Sequence, residues 1–241
     1  MTIYISTGGF KSLSAVDTVK NFSLRDIKEI ELSGGLYHPN LIQDLIKFFK
    51  KGVKFQIHNY FPPPKNPFII NLASEDKDIR NLSLNHIFDS IKCCEVIGAK
   101  YYSFHAGFLC DFNTSEIGKN IKKRKLTNRV KSLDLFLESL NKISKFAQES
   151  DINIMVENNV LSRNNLLQFG ESPLLMCDLD ETLKIMKNSP KNINLLIDVA
   201  HLKVSSNSLN FDPSEYFLKC NDFIKGYHLS DNNGLSDTNS I

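Results

Sequence analysis

No stretch of this 241-residue chain approaches the roughly 18 consecutive apolar residues of a membrane-spanning helix. Its N-terminus, Met-Thr-Ile-Tyr-Ile-Ser-Thr-Gly-Gly, lacks the charged region and long apolar core of a secretory signal. A cytoplasmic protein with no membrane partner is therefore expected. Cysteine is sparse. The five present (Cys93, Cys94, Cys110, Cys177, Cys220) form no C-x-x-C pair, and their odd number argues against a disulfide framework, so they are expected as buried thiols. Charge of one sign is also missing. With 29 basic against 27 acidic residues and a net charge of +2, the composition makes no global case for nucleic acid, membrane or acidic partners. Nor is there a linker or a break in composition, and residues 1–241 are expected to form a single domain.

What the chain does hold is a repeated alternation of apolar and amphipathic stretches. Short apolar runs at 3–6, 27–32, 53–57, 100–104, 152–156, from Asn194 onward and at 223–227 read as strands. Helical periodicity fills the gaps at about 14–22, 39–51 with Gly52 as a stop, 75–97 with Gly98 as a cap, 130–149, 179–187 and 212–220, where Asp212 caps and Pro213 opens the first turn. Pro62-Pro63-Pro64 imposes an extended loop after the third strand.

Seven strands alternating with helices predict an α/β fold. A doubly wound open sheet draws ligands from a few strand ends at its switch point, whereas a barrel draws them from many ends on one face. Strands three to seven all end in His, Glu or Asp, which favours a (β/α)8 TIM-type barrel. The chain reaches Ile241 before any eighth strand or helix. Seven strands leave two edges unpaired, so the natural chain is expected to continue.

The most telling stretch is Asn-Leu-Leu-Ile-Asp-Val-Ala-His at 194–201, an apolar run that ends in Asp198 with His201 three residues on. Of six histidines, His58, His105, His201 and His228 stand at or just past strand ends, and His38 and His86 fall elsewhere. A lone histidine in such a place is generally a hydrogen-bonded core or loop residue. Four converging with Glu157 and Asp198 predict a metal site instead, with Glu157 as the candidate catalytic carboxylate. Imidazole and carboxylate without thiolate suit Zn2+, Mn2+, Co2+, Mg2+ or Fe2+, and the residues do not choose among them. The basic run Lys119, Lys122, Lys123, Arg124, Lys125, Arg129 and Lys131 follows strand four. Such runs are commonly solvated faces; the functional alternative is a substrate or phosphate contact through Lys123 and Arg124, with Asp231 near the end of strand seven as a further candidate.

The ordered set His58, Asn71-Leu72-Ala73-Ser74, Phe104-His105-Ala106-Gly107, Val156-Glu157-Asn158, Ile197-Asp198-Val199-Ala200-His201 and His228-Leu229-Ser230-Asp231 resembles the xylose-isomerase-like barrel superfamily. That superfamily holds sugar isomerases and epimerases together with abasic-site DNA repair enzymes of the endonuclease IV type. In the repair branch the resemblance implies His58 and His105 on one zinc, Glu157 as a bridge, Asp198 and His228 on a second, and His201 with an Asp-x-His pair on a third. Asp237 matches the aspartate of that pair, and Asn239 stands where its histidine belongs. In the sugar branch it implies one divalent ion on Glu157, Asp198, His228 and a glutamate from strand eight, which this chain lacks.

Three functions are compatible with these residues. The one favoured by the residues is a divalent-metal-dependent sugar or sugar-phosphate isomerase or epimerase, with a small-molecule sugar as partner and metal-assisted proton transfer beside a carbonyl. The alternatives are an endonuclease IV-like zinc phosphodiesterase acting on abasic DNA, and a non-catalytic ligand-binding barrel. A homo-oligomer is compatible with each.

Overall fold

The computed structural model describes residues 2–10, 12–116 and 121–238. Seven strands form one sheet in the order of the chain: β1 (Ile5–Ser6), β2 (Glu29–Ser33), β3 (Lys54–His58), β4 (Tyr101–His105), β5 (Asn153–Glu157), β6 (Ile193–Asp198) and β7 (Ile224–His228). Parallel pairing joins β1 to β2, β2 to β3, β3 to β4 and β6 to β7. Between them run α1 (Ala15–Ser23), α2 (Leu41–Phe49), α3 (Lys77–Ile97), α4 (Arg129–Ala147), α5 (Arg163–Phe169), α6 (Leu179–Asn188), α7 (Val199–Leu209) and α8 (Pro213–Cys220). Among the described residues no helix is long and apolar enough to cross a membrane.

The chain divides into two compact units, the first of residues 1–67, 85–104 and 146–154, the second of 68–84, 105–145 and 155–241. In the first, Ile30, Leu32, Phe55 and Ile57 of the strands, Val19 and Leu45 of α1 and α2, and Ile87 and Ile91 of α3 are all buried. Each such side chain stabilises the fold by about 1.5–3 kcal/mol, and along β2 and β3 these apolar residues alternate with Glu29, Glu31, Lys54 and Gln56. Gly98 closes α3 at φ +70, where a Cβ would stand 2.5 Å from Phe49 Cε2. Glycine is thus favoured there by the left-handed backbone, while the exposed Phe49 ring could move aside for a Cβ. In the second unit, Phe136, Leu140 and Ile143 of α4, Leu195 and Ile197 of β6 and Tyr216 of α8 are buried, and the Tyr216 hydroxyl meets Thr182 Oγ1 at 2.8 Å. A satellite cluster gathers Cys110, Ile121, Leu161, Leu174 and Cys177. All five cysteines are buried and free, as expected for structural thiols.

Two helices lack a clear apolar period in the sequence. α5 is short and polar, defined by Ser162, whose Oγ accepts from Asn165 N at 3.3 Å, and by Gly170 at φ +78. α7 is rich in serine, a residue that competes with the helical backbone for hydrogen bonds. Here Ser205 is turned to use, accepting from Leu161 N at 2.9 Å and donating to the Asn159 carbonyl at 3.3 Å.

His86, one of the two histidines away from strand ends, sits buried in the first unit with its ring stacked on Tyr60 at 5.2 Å between centroids. Burial pushes its imidazole down from 6.5 to about 4, against the opposing pull of Asp89 and the Asn59 backbone. The unfolded chain therefore takes up a proton near pH 6.5 that the folded chain refuses until about pH 4, so stability is full above that window and falls with pH inside it. His86→Phe keeps the stack and removes the proton. Its unfolding free energy is expected to lose a pH dependence of at most about 3 kcal/mol between those limits, and an unchanged slope in denaturant titrations contradicts this assignment.

Candidate metal centre

Four strand-end residues, all in the second unit, come to one place. His105 ends β4, Glu157 ends β5, Asp198 ends β6 and caps α7, and His228 ends β7. The register of β6 and β7 sets Asp198 and His228 side by side. His201 follows in the first turn of α7, positioned by the Asp198 cap, whose Oδ1 accepts from His201 N at 2.7 Å. Asp237 comes from the segment after β7.

Glu157 is the hub. Only 1% exposed, it places Oε1 3.2 Å from His228 Nδ1 and 3.6 Å from His201 Nδ1, while Oε2 stands 3.5 Å from His105 Nδ1. His201 Nε2 lies 3.5 Å from Asp237 Oδ2 and 3.9 Å from Asp198 Oδ2. The His105 and His201 rings are 5.6 Å apart. Burial works to lower the His201 imidazole, yet the bond to Asp237 and the charges of Glu157 and Asp198 outweigh it and raise it to about 9. Burial lowers His105 and raises Asp198, and the bond to His201 holds Asp237 below the usual carboxylate range.

The donor set suits a divalent cation. Glu157, Asp198 and His201 offer ligand atoms all within 4.8 Å of one another, and all three residues are buried. Asp237 Oδ1 is buried without a hydrogen-bond partner among the described residues, and a buried carboxylate oxygen in that state calls for a proton or a cation. His201 Nε2 is the ring nitrogen that faces Asp198 and Asp237. Imidazole and carboxylate without thiolate match zinc or manganese rather than a soft metal.

His58 lies in the first unit at the end of β3, buried, with Nδ1 2.9 Å from Ser103 Oγ. Three members of the basic run are committed to the protein. Arg124 pairs with Glu116 at 2.5 Å and donates to the Asp111 carbonyl, Arg129 pairs with Glu181 at 2.6 Å, and Lys131 pairs with Glu75. Lys123 is exposed. Asp231 is exposed and paired with Lys203 at 2.8 Å. Lys119 and Asn239 lie outside the described residues.

The loops behind the ligands are pinned by amides that sequence reasoning gave no role. Asn71 Oδ1 accepts from Ala73 N and Phe108 N at 3.1 and 3.0 Å, and its Nδ2 donates to Asp111 Oδ1 at 2.8 Å. Asn159 Nδ2 donates to the Ala106 and Leu175 carbonyls at 2.9 and 3.0 Å. Asn232 Nδ2 donates to the Ala200 carbonyl at 2.9 Å and its Oδ1 accepts from Gly234 N at 2.8 Å, tying the segment that leads to Asp237 onto α7. The signal was present in the two consecutive amides after Glu157. Close packing completes the loop after His105: a Cβ on Gly107 would stand 2.5 Å from Ala73 Cβ and 3.0 Å from Ala73 N. Gly107→Ala is expected to lower stability by about 2 kcal/mol in denaturant titrations. Ala73→Gly in the same chain should recover part of that loss, and no loss at all would contradict the packing.

The profile of the xylose isomerase-like TIM barrel family matches residues 34–239. The chain belongs to that family. Apurinic-apyrimidinic endonuclease 1 of Plasmodium falciparum (isolate 3D7) is 24% identical over 91% of this chain and 36% of its own length. A D-tagatose 3-epimerase-like protein superposes with a TM-score of 0.72 at 20% identity, covering 99% of this chain and 79% of that one. Endonuclease IV from Thermus thermophilus superposes with a TM-score of 0.56 at 12% identity, covering 95% and 75%. The chain spans between 22% and 54% of the length of the curated relatives it matches. The xylose isomerase-like assignment bears out the TIM-barrel fold expected from the strand ends, with seven of its strands present among the described residues.

Proposed function

We propose that this chain is a divalent-metal-dependent phosphodiesterase acting on abasic sites in DNA. The observation that carries the reading is the double-sided placement of Glu157, whose Oε2 faces His105 while Oε1 faces His201 and His228. A carboxylate with separate imidazoles at each oxygen is suited to bridging two cations, whereas a one-metal sugar enzyme has no use for so many imidazoles. This shifts the weight from the sugar reading that the residues alone favour. The ligand set under this reading is His105, Glu157, Asp198, His201 and His228, with Asp237 beside His201. Bound divalent ions supply Lewis-acid stabilisation of the phosphoryl oxygens and water of lowered pKa. The residues themselves concentrate negative charge for the ions, hold imidazole lone pairs toward them and keep Glu157 away from bulk water. Lys123, exposed beyond β4, is kept as a contact to the DNA backbone. The endonuclease relative supports the same reading.

A second reading, a sugar or sugar-phosphate isomerase or epimerase using Glu157 to move a proton beside a carbonyl, is supported by the likeness to the D-tagatose 3-epimerase-like fold. The purified chain loaded with zinc would be incubated with a duplex bearing one abasic site, and separately, loaded with manganese, with ketohexoses. Nicking at the abasic position that chelator abolishes and zinc restores is expected, with the sugars unchanged. Epimerised sugar without nicking would establish the second reading, and neither activity would overturn both.

A further inference from the structure

Asn158 stands between the strand-end carboxylate Glu157 and the amide Asn159, and it touches two of the proposed ligands at once. Its Oδ1 accepts from Asp198 N at 2.8 Å and its Nδ2 donates to the Asp198 carbonyl at 3.2 Å, a reciprocal pair closed on one residue's backbone across β5 and β6. Its own carbonyl lies 3.0 Å from His201 Nδ1. A carbonyl oxygen only accepts, so Nδ1 carries the proton and Nε2 is the nitrogen left to face Asp198 and Asp237. Asn158 is 2% exposed, so these bonds have no water to replace them.

We propose that Asn158 is the positioning residue of this centre, holding Asp198 in place through its side chain and fixing through its carbonyl which nitrogen His201 presents. The inference rests on the metal reading above. The Asp198 clamp also reaches His201 by a second route, because the Asp198 side chain caps α7 at the His201 amide. Aspartate in place of Asn158 can still accept from Asp198 N but cannot donate to its carbonyl, which explains why an amide stands beside two carboxylates. Partners of this kind behind a metal ligand change affinity by about 10- to 100-fold.

The test is zinc affinity, measured by chelator competition on the full chain. Asn158→Ala is expected to bind zinc about 10- to 100-fold more weakly than the unaltered chain. In the zinc-loaded state its His201 imidazole nitrogen NMR signals should lose the single Nδ1–H pattern of the parent. Asn158→Ser, whose smaller side chain admits water to the Asp198 backbone, should show the same loss and covers the case in which alanine does not fold. Ser144→Ala, which breaks a part-buried bond to Asn192 far along the sequence from the ligands, controls for general destabilisation and should leave zinc affinity unchanged. Zinc affinity in Asn158→Ala or Asn158→Ser within twofold of the parent would overturn the assignment. Failure of the unaltered chain to bind zinc would instead strike the metal reading itself.

Discussion

Glu157→Gln is expected to reduce nicking of an abasic duplex by on the order of 10³-fold, with the fold intact. Glutamine has nearly the same volume and fills the same buried position, but one of its two terminal atoms becomes an NH2 group with no lone pair for a cation. Whichever way the amide turns, either the side facing His105 or the side facing His201 and His228 loses its ligand oxygen. Charge stabilisation by a metal contributes several kcal/mol to such a reaction, and each 1.36 kcal/mol is a factor of ten in rate. The measurement is single-turnover cleavage at saturating zinc, beside thermal unfolding of the same samples. A variant that cleaves within tenfold of the parent would remove Glu157 from the chemistry. A variant that fails to fold would show instead that the carboxylate is needed to satisfy the three imidazoles around it.

Asp198 serves two purposes that two substitutions separate. It ends β6 as a proposed metal ligand, and it caps α7 through the bond from His201 N. Asp198→Ala removes both, so zinc affinity should drop by more than about 100-fold, beyond the loss expected from an outer partner, and unfolding stability by about 1 kcal/mol. Asp198→Asn keeps a side-chain oxygen for the cap and gives up the charge. It should retain most of the stability while losing most of the zinc. Metal held at full occupancy by Asp198→Ala would sink the ligand assignment, and equal instability of the two variants would show that the charge, rather than the cap, supports α7.

The strand ends were legible because parallel strands buried on both faces are apolar throughout, so a polar residue at the end of the run stands out. Glu157 and Asp198 were found that way, and the structure places each as the last residue of its strand; His228 also ends its strand, although β7 alternates and exposes Lys225 and Tyr227. His201 was visible through its spacing from Asp198 and its place just past a strand end, and its real setting is the first turn of the serine-rich helix α7. The basic run was less legible for a different reason. Composition shows charges but not their partners, and Arg124, Arg129 and Lys131 find theirs in Glu116, Glu181 and Glu75, of which Glu181 is fifty-two positions along the chain from Arg129. Asn71, Asn158, Asn159 and Asn232 were illegible as pins, because an amide is equally at home in a turn, and only the three-dimensional course of the backbone shows which carbonyls and N–H groups it reaches.

The most direct test of the account is the metal content of the chain purified without chelator, measured by elemental analysis alongside protein concentration. Two or more zinc ions per chain, with fewer than that in Glu157→Gln, is the result the double-sided placement of Glu157 predicts. A single exchangeable ion unaffected by Glu157→Gln, or no ion at all in the unaltered chain, would contradict it.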